Sequence, residues 1–172
     1  NASNSIVRYM RFRQGIGGDS GTDAVGIASG SNMIFDHVSA SWGRDETFSV
    51  TSTASNITLQ DCIVGQGLLI HSAGGLMEPS GPVSVFRSLY ADNWMRNPKV
   101  KGTHEFTNNV VYNWGSGGAY ICGDSAGQSY TNIVNNLFVG GQDSGTTPAF
   151  IRGNLNFHTY AAGNVQDVIV DG

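Results

Sequence analysis

The sequence predicts an all-β fold, a parallel β-helix of about seven coils, and three observations carry that prediction. A short strand-like phrase recurs seven times in 172 residues, apolar residues alternate within it, and the stretches between copies are rich in turn formers. The phrases are Tyr9-Met10, His37-Val38, Asp61-Cys62, Ser88-Leu89, Asn109-Val110, Asn136-Leu137 and Asn164-Val165. Six steps from Met10 to Val165 give a period of about 26 residues, inside the range of solenoid repeats. Two residues further on stand Phe12, Ala40, Val64, Ala91, Tyr112 and Val139. Each phrase thus has two apolar positions of one parity, as a strand with one buried face requires. Both columns are expected to point inward.

Between the copies the chain is punctuated by Gly, Ser, Asn and Thr, as in Gly15 to Gly21, Gly115 to Gly118 and Gly140 to Gly145. No apolar period of 3.6 residues persists long enough for a substantial helix. Single strands joined by turns and repeated at this period stack coil on coil, each strand pairing with its equivalents in the neighbouring coils. Asn109, Asn136 and Asn164 recur in register and are expected to stack at one bend, their side-chain amides hydrogen-bonded along the axis.

Composition agrees. Charged residues are 13% of the chain, about half the usual share, and the 24 glycines are about twice the usual share. A net charge of −4 without a basic run argues against a nucleic-acid or anionic-membrane partner, and no stretch approaches the roughly 20 apolar residues of a membrane span. The chain is read as one domain over 1–172, the central part of a longer protein, because no terminal cap is evident. Cys62 falls in the apolar column and is expected to be a buried free thiol, and Cys122 is placed in a loop. Asn1-Ala-Ser3 and Asn56-Ile-Thr58 fit the short N-glycosylation pattern.

A solenoid carries its ligand site where loops and unusual polar residues gather on one face. Three segments qualify: Asp19 to Ile27 and Phe35 to Glu46, which bring acids, and Trp94 to Lys101, which brings cations. Asp23 and Asp45 are close to one coil apart, so their carboxylates can stack on adjacent coils and share a hard cation such as Ca²⁺.

These segments resemble a known family. The run Ile6-Val-Arg-Tyr-Met-Arg-Phe-Arg13, Asp23-Ala24, Phe35-Asp36-His37, Ser41-Trp-Gly-x-Asp45-Glu46, His71-Ser72, Arg96-x-Pro98 and Asn108-Asn-Val-Val-Tyr-Asn-Trp114 occur in this order in pectate lyases of polysaccharide lyase family 1. The resemblance implies a right-handed parallel β-helix in a secreted enzyme, a monomer that cleaves polygalacturonate by Ca²⁺-dependent β-elimination. The family base is the Arg of Arg-x-Pro, here Arg96. Free arginine titrates above about 12, so a neutral guanidine acting as base implies an alkaline optimum. The resemblance further gives Asp23 and Asp45 as metal ligands and Lys99 or Lys101 as the second basic residue after the Pro; Glu46 joins the candidate metal ligands, and His71 and Trp94 join both lysines as candidate substrate-binding residues, from their place beside these motifs.

The chain departs from the family pattern at two places. Ser49 stands where many members have a second calcium-binding Asp, with Glu46 or Asp19 as possible substitutes. The family lysine that holds the substrate carboxylate should fall near Gly67, where there is none, and His71 takes over part of that role in this reading. Asp36-His37 is read as hydrogen-bonding a bend. The sequence leaves Trp42, Trp94 and Trp114 open between stacking on sugar rings and covering loops. Two alternatives stay open: a hydrolase on the same fold, which needs clustered aspartates that act on water, and a catalytically silent β-helix that binds acidic polysaccharide.

Overall fold

The structure, a computed structural model, describes residues 2–69, 71–123 and 127–167. Asn1, of the first glycosylation pattern, and residues 168–172 lie outside them. Among the described residues there are strands and turns and no helix. The strands form three sheets, each built by parallel pairing of successive coils, with seven, seven and six strands. This is a parallel β-helix of about six turns. The first sheet stacks Ser5–Arg8, Ser31–Asp36, Ser55–Gln60, Val83–Phe86, Gly102–Thr107, Ser129–Val134 and Phe157–Ala162. The second stacks Arg11–Arg13, Ser39–Ser41, Ile63–Gly65, Leu89–Ala91, Val110–Tyr112, Leu137–Val139 and Val165–Asp167. The third stacks Val25–Ile27, Phe48–Ser52, Leu76–Pro79, Lys99–Val100, Tyr120–Cys122 and Phe150–Ile151.

The corner from first to second sheet has one construction in every coil. Tyr9, His37, Asp61, Arg87, Asn108, Asn135 and Gly163 occupy it in succession, all with φ between 46° and 64°. This left-handed conformation turns the chain sharply, at a cost of roughly 1–2 kcal/mol for a residue other than glycine. Hydrogen bonds between coils offset that cost: Tyr9 N–H donates to Asp36 O, His37 to Gln60 O, Asp61 to Phe86 O and Asn108 to Val134 O, at 3.0–3.2 Å. Gly163 has a further reason to be glycine, since a Cβ there would lie 2.1 Å from Asn135 Oδ1.

The next residue in each coil points inward, and here the predicted register needs correction. Val38 and Cys62 are buried at 2% exposure, as expected. The coil after them places Ser88, not Leu89, against Cys62, whose N–H donates to Ser88 Oγ at 3.1 Å. Leu89 and Val110 are therefore only half-buried, and Leu137 and Val165 are 38% and 56% exposed. A period-two pattern slipped by one residue exchanges its faces, and apolar residues lie on both sides of these short strands. The inward residues of the second sheet are Ala40, Val64, Tyr90, Val111 and Phe138, which pair coil to coil. Ala91, Tyr112 and Val139 face outward with Leu89.

The slip leaves the asparagine stack intact. Asn109 Nδ2 donates to Asn136 Oδ1 at 3.1 Å, and Asn136 Nδ2 to Asn164 Oδ1 at 2.9 Å. The same oxygens accept the backbone N–H of the coil before, 2.8 Å for Asn109 and 3.0 Å for Asn136. Each second amide hydrogen reaches a carbonyl of the first sheet. These amides are buried but fully partnered, which makes a polar interior column tolerable. A second, exposed ladder, not foreseen from sequence, runs Asn4, Asn32, Asn56 with two 2.8 Å amide bonds. Asn56, of the second glycosylation pattern, is thus exposed and engaged through Nδ2.

The core between the sheets is aliphatic near Val50, Leu59, Met77 and Val85 and aromatic around Phe106, Tyr120, Phe138 and Phe150, whose rings meet tilted or edge-on at 4.8–5.7 Å. Cys62 is the buried free thiol expected. Cys122 is a correction: it ends the strand Tyr120–Cys122 and is buried, and burial pushes its thiol up to about 12.

Candidate active site

The crossings from second to third sheet, residues 14–24, 42–47, 66–75, 92–98, 113–119 and 140–149, carry nearly every predicted site residue. They vary in length yet remain laddered to one another. Asp45 N–H donates to Thr22 O and Ala73 N–H to Asp45 O, at 3.1 and 3.2 Å. Glu46, Ala73 and Met95 bridge in parallel register. Gly74 and Gly75 N–H then donate to Met95 O and Arg96 O at 2.9 and 2.7 Å. Residues far apart in sequence therefore arrive side by side: Asp23, Asp45 and Glu46, His71, and Arg96 come from four successive coils.

Their side chains make one connected cluster. Asp23 Oδ1 accepts the Glu46 N–H at 3.1 Å, which fixes the first acid to the backbone of the second. Asp45 Oδ1 contacts His71 Nδ1, and Glu46 Oε1 is paired with Arg96 Nη1. The ligand atoms of Asp45, Glu46 and His71 lie within 4.8 Å of one another. Glu46 is 4% exposed. Burial raises its pKa, Arg96 opposes that rise as charge and as hydrogen-bond donor, and the nearby Asp45 and Asp23 add to it. A buried carboxylate crowded by two others is a place where a further cation is favourable.

The donor set suits a hard cation. Carboxylate oxygens of Asp45 and Glu46 converge, and Asp23 is joined to them through the Glu46 N–H. His71 is held by Asp45, so it orients that acid. Ser49 does not extend the set: it is 3% exposed and its hydroxyl accepts the Leu76 N–H at 3.2 Å, a structural duty. Asp19 is exposed at the far end of its loop. At the position expected for a lysine, a Cβ on Gly67 would meet the backbone of Ser72 at 3.1 Å and Asn93 Oδ1 at 3.2 Å, a tight approach that needs these neighbours to give by a few tenths of an ångström.

Arg96 itself has φ 57°, and the residues on either side of it are tied into a network that sequence reasoning did not find. Asn93 and Asn97, each 1% exposed, flank it. Asn93 Nδ2 donates to Asn97 Oδ1 at 2.9 Å and to Val64 O at 3.1 Å, while its Oδ1 accepts the Gly67 N–H at 3.0 Å. Asn97 Nδ2 returns to Asn93 O at 3.1 Å. The available signal was two asparagines four apart on either side of an arginine in a chain otherwise poor in charge.

The remaining predicted residues are dispersed around this centre. Lys99 lies on the third sheet beyond Leu76, with Nζ 3.9 Å from Glu78 Oε1. Lys101 sits at the following corner and lays its side chain over Gly127, where a Cβ would come within 2.7 Å of Lys101 Cε. Trp94, 41% exposed, lines a pocket of about 300 Å³ with Gly67, Ser72, Asp92, Asn113 and Asp143. Trp114 is fully buried and donates Nε1–H to Thr147 O at 3.1 Å, so it covers a loop. Trp42 is 41% exposed, under the Arg13 guanidinium, and donates to Gln66 Oε1 at 3.2 Å. Asp36 is buried against Arg8 at 2.6 Å and His37 at 2.7 Å, in keeping with a structural bend.

No protein-family model matches the chain. Whole-sequence similarity is extensive: it is 63% identical over 172 residues to a probable pectate lyase C of Aspergillus fumigatus and 62% identical to those of Neosartorya fischeri and Emericella nidulans. All of this chain is matched in each case, and it spans 40–41% of the length of these relatives. Along every one of its 172 residues, the chain is homologous to part of proteins named probable pectate lyase C.

Proposed function

We propose that the protein is a pectate lyase, acting outside the cell as a monomer, that cleaves polygalacturonate by Ca²⁺-dependent β-elimination. The observation that carries this reading is the meeting of Asp23, Asp45 and Glu46 with Arg96 across four coils, in a chain homologous to proteins of that name. In the reaction, the proton on C5 of a galacturonate leaves to a base, the C4–O bond breaks with its pair on the oxygen, which takes a proton from water, and a C4=C5 double bond forms. The carboxylate at C6 is a poor activator because its charge opposes the developing carbanion. Asp23, Asp45 and Glu46 would hold Ca²⁺, which would supply the neutralising charge that the carbanion needs. Arg96 takes the C5 proton, and the Asn93–Asn97 network fixes the turn that carries it. His71, Lys99, Lys101 and Trp94 bind and orient the chain, the lysines as point charges for neighbouring carboxylates.

The test is absorbance of the unsaturated uronide during incubation with polygalacturonate at mildly alkaline pH, with Ca²⁺ and then with chelator. A Ca²⁺-dependent rise supports the reading. Reducing ends without absorbance would instead mean a hydrolase, and neither signal would mean a binding module.

A further inference from the structure

The pocket beside Trp94 has chemistry opposite to that expected for a uronate. Its polar walls are Asp92 and Asp143, bridged by Asn113, whose Nδ2 donates to Asp92 Oδ1 at 2.8 Å and to Asp143 Oδ2 at 3.1 Å. Asn113 Oδ1 accepts the Asp143 N–H at 2.9 Å, so the two carboxylates are fixed across consecutive crossings. None of the residues lining the pocket is a cation. One side of the indole rests on Gly115, where a Cβ would lie 2.2 Å from the ring, and the side chain stays 41% exposed. An aromatic face with fixed hydrogen-bonding groups at its edge is a platform for a sugar ring. Two carboxylates in the same wall repel a ring that carries its own.

The pocket is joined to the candidate centre. Trp94 precedes Arg96 by two residues on one crossing, so their backbones are on the order of 7 Å apart. Ser72, which follows His71, donates its hydroxyl to Gly67 O at 2.7 Å and accepts the Trp94 N–H at 3.3 Å. A chain with one ring at Arg96 can therefore place a nearby ring against Trp94.

We infer that the Trp94 pocket is a subsite for an uncharged pyranose ring, one without a free carboxylate, beside the reactive subsite. The inference rests on the lyase reading for the polymer's identity: the reactive subsite takes a ring with a free carboxylate, and the Trp94 pocket takes a neighbouring ring without one. The shared chemistry is the missing charge, which a methyl-esterified galacturonate and a neutral galactose both offer.

The test reads binding and needs no turnover. The protein is titrated with galacturonate trimer, its methyl-esterified form and galactose trimer, followed by the indole N–H resonance of Trp94, assigned with Trp94→Phe. Read at the Trp94 resonance with chelator present, the esterified trimer is expected to saturate the pocket at a concentration at least tenfold lower than the free acid. Asp92→Asn combined with Asp143→Asn, which can keep the bridge to Asn113, is expected to erase most of that difference. Galactose trimer matching the esterified trimer makes charge alone the selector, and galactose trimer failing while the ester binds makes the ester the occupant. Tighter binding of the free acid, a Trp94 resonance that does not move, or an unchanged ratio in the double variant would overturn the inference. Loss of the lyase reading shows separately, as Trp94 binding without unsaturated product from any polymer.

Discussion

On one side of the second sheet every coil turns in two residues, the first of them left-handed, from Tyr9-Met10 to Gly163-Asn164. On its other side the crossings run from the short 42–47 to the long 14–24, and they hold Asp23, Asp45, Glu46, His71, Trp94 and Arg96. The fixed corner hands register from coil to coil through backbone bonds and the Asn109–Asn136–Asn164 ladder. The variable crossing inherits that register and can spend its sequence on acids and cations. Side chains 50 residues apart, as Glu46 and Arg96 are, meet because the corner opposite never changes length.

The largest effect is expected at the variable crossing and should leave the fold untouched. Arg96→Lys keeps a cation for buried Glu46, so thermal stability should change little, while turnover on polygalacturonate falls by about 10³, the scale of a lost general base. Near-normal turnover in this variant would detach chemistry from Arg96. Arg96→Ala should add a stability loss, because it leaves Glu46 buried without its partner.

The corner should behave in the opposite way. Asn136→Ala removes four hydrogen bonds from a residue 1% exposed and strands Asn109, so denaturant unfolding should show a loss of about 2–4 kcal/mol. Turnover per folded molecule should survive. If activity collapsed with stability intact, the division between the two sides would be wrong.

Acid should find a different weakness. His104, buried under the first sheet with Nε2 2.9 Å from Lys101 O, is lowered to about 4, by desolvation above all. The unfolded chain binds its proton near pH 6.5 and the folded one near pH 4, so stability is full above about 6.5 and lost as pH falls to about 4. The shift corresponds to about 3 kcal/mol. His104→Gln should flatten this part of the stability profile. A smaller effect is expected at Gly163→Ala, about 1–2 kcal/mol, from the left-handed backbone and the approach of Asn135 Oδ1.

The same division explains what could be read from sequence. The repeat and the amide ladder were legible because the corner has one length and one residue class in its later coils. The register of Leu89, Val110, Leu137 and Val165 was not, since apolar residues on both faces make a one-residue slip invisible. In the crossings, Asp23, Asp45 and Arg96 were singled out by chemistry and by family likeness, and the fold brings them to the same stack of crossings. The Asn93–Asn97 network flanking the arginine, and the Asp92–Asn113–Asp143 wall, were hidden because their partners lie on other coils and no local pattern marks them.

The central claim is that the crossing is a Ca²⁺ site built by Asp23, Asp45 and Glu46 without help from Ser49. Calorimetric titration of Ca²⁺ into the protein and into Asp45→Asn and Ser49→Ala tests it most directly. The account predicts one saturable site, lost or weakened at least tenfold in Asp45→Asn and unchanged in Ser49→Ala. No Ca²⁺ binding in the parent protein, or equal binding in Asp45→Asn, would contradict it.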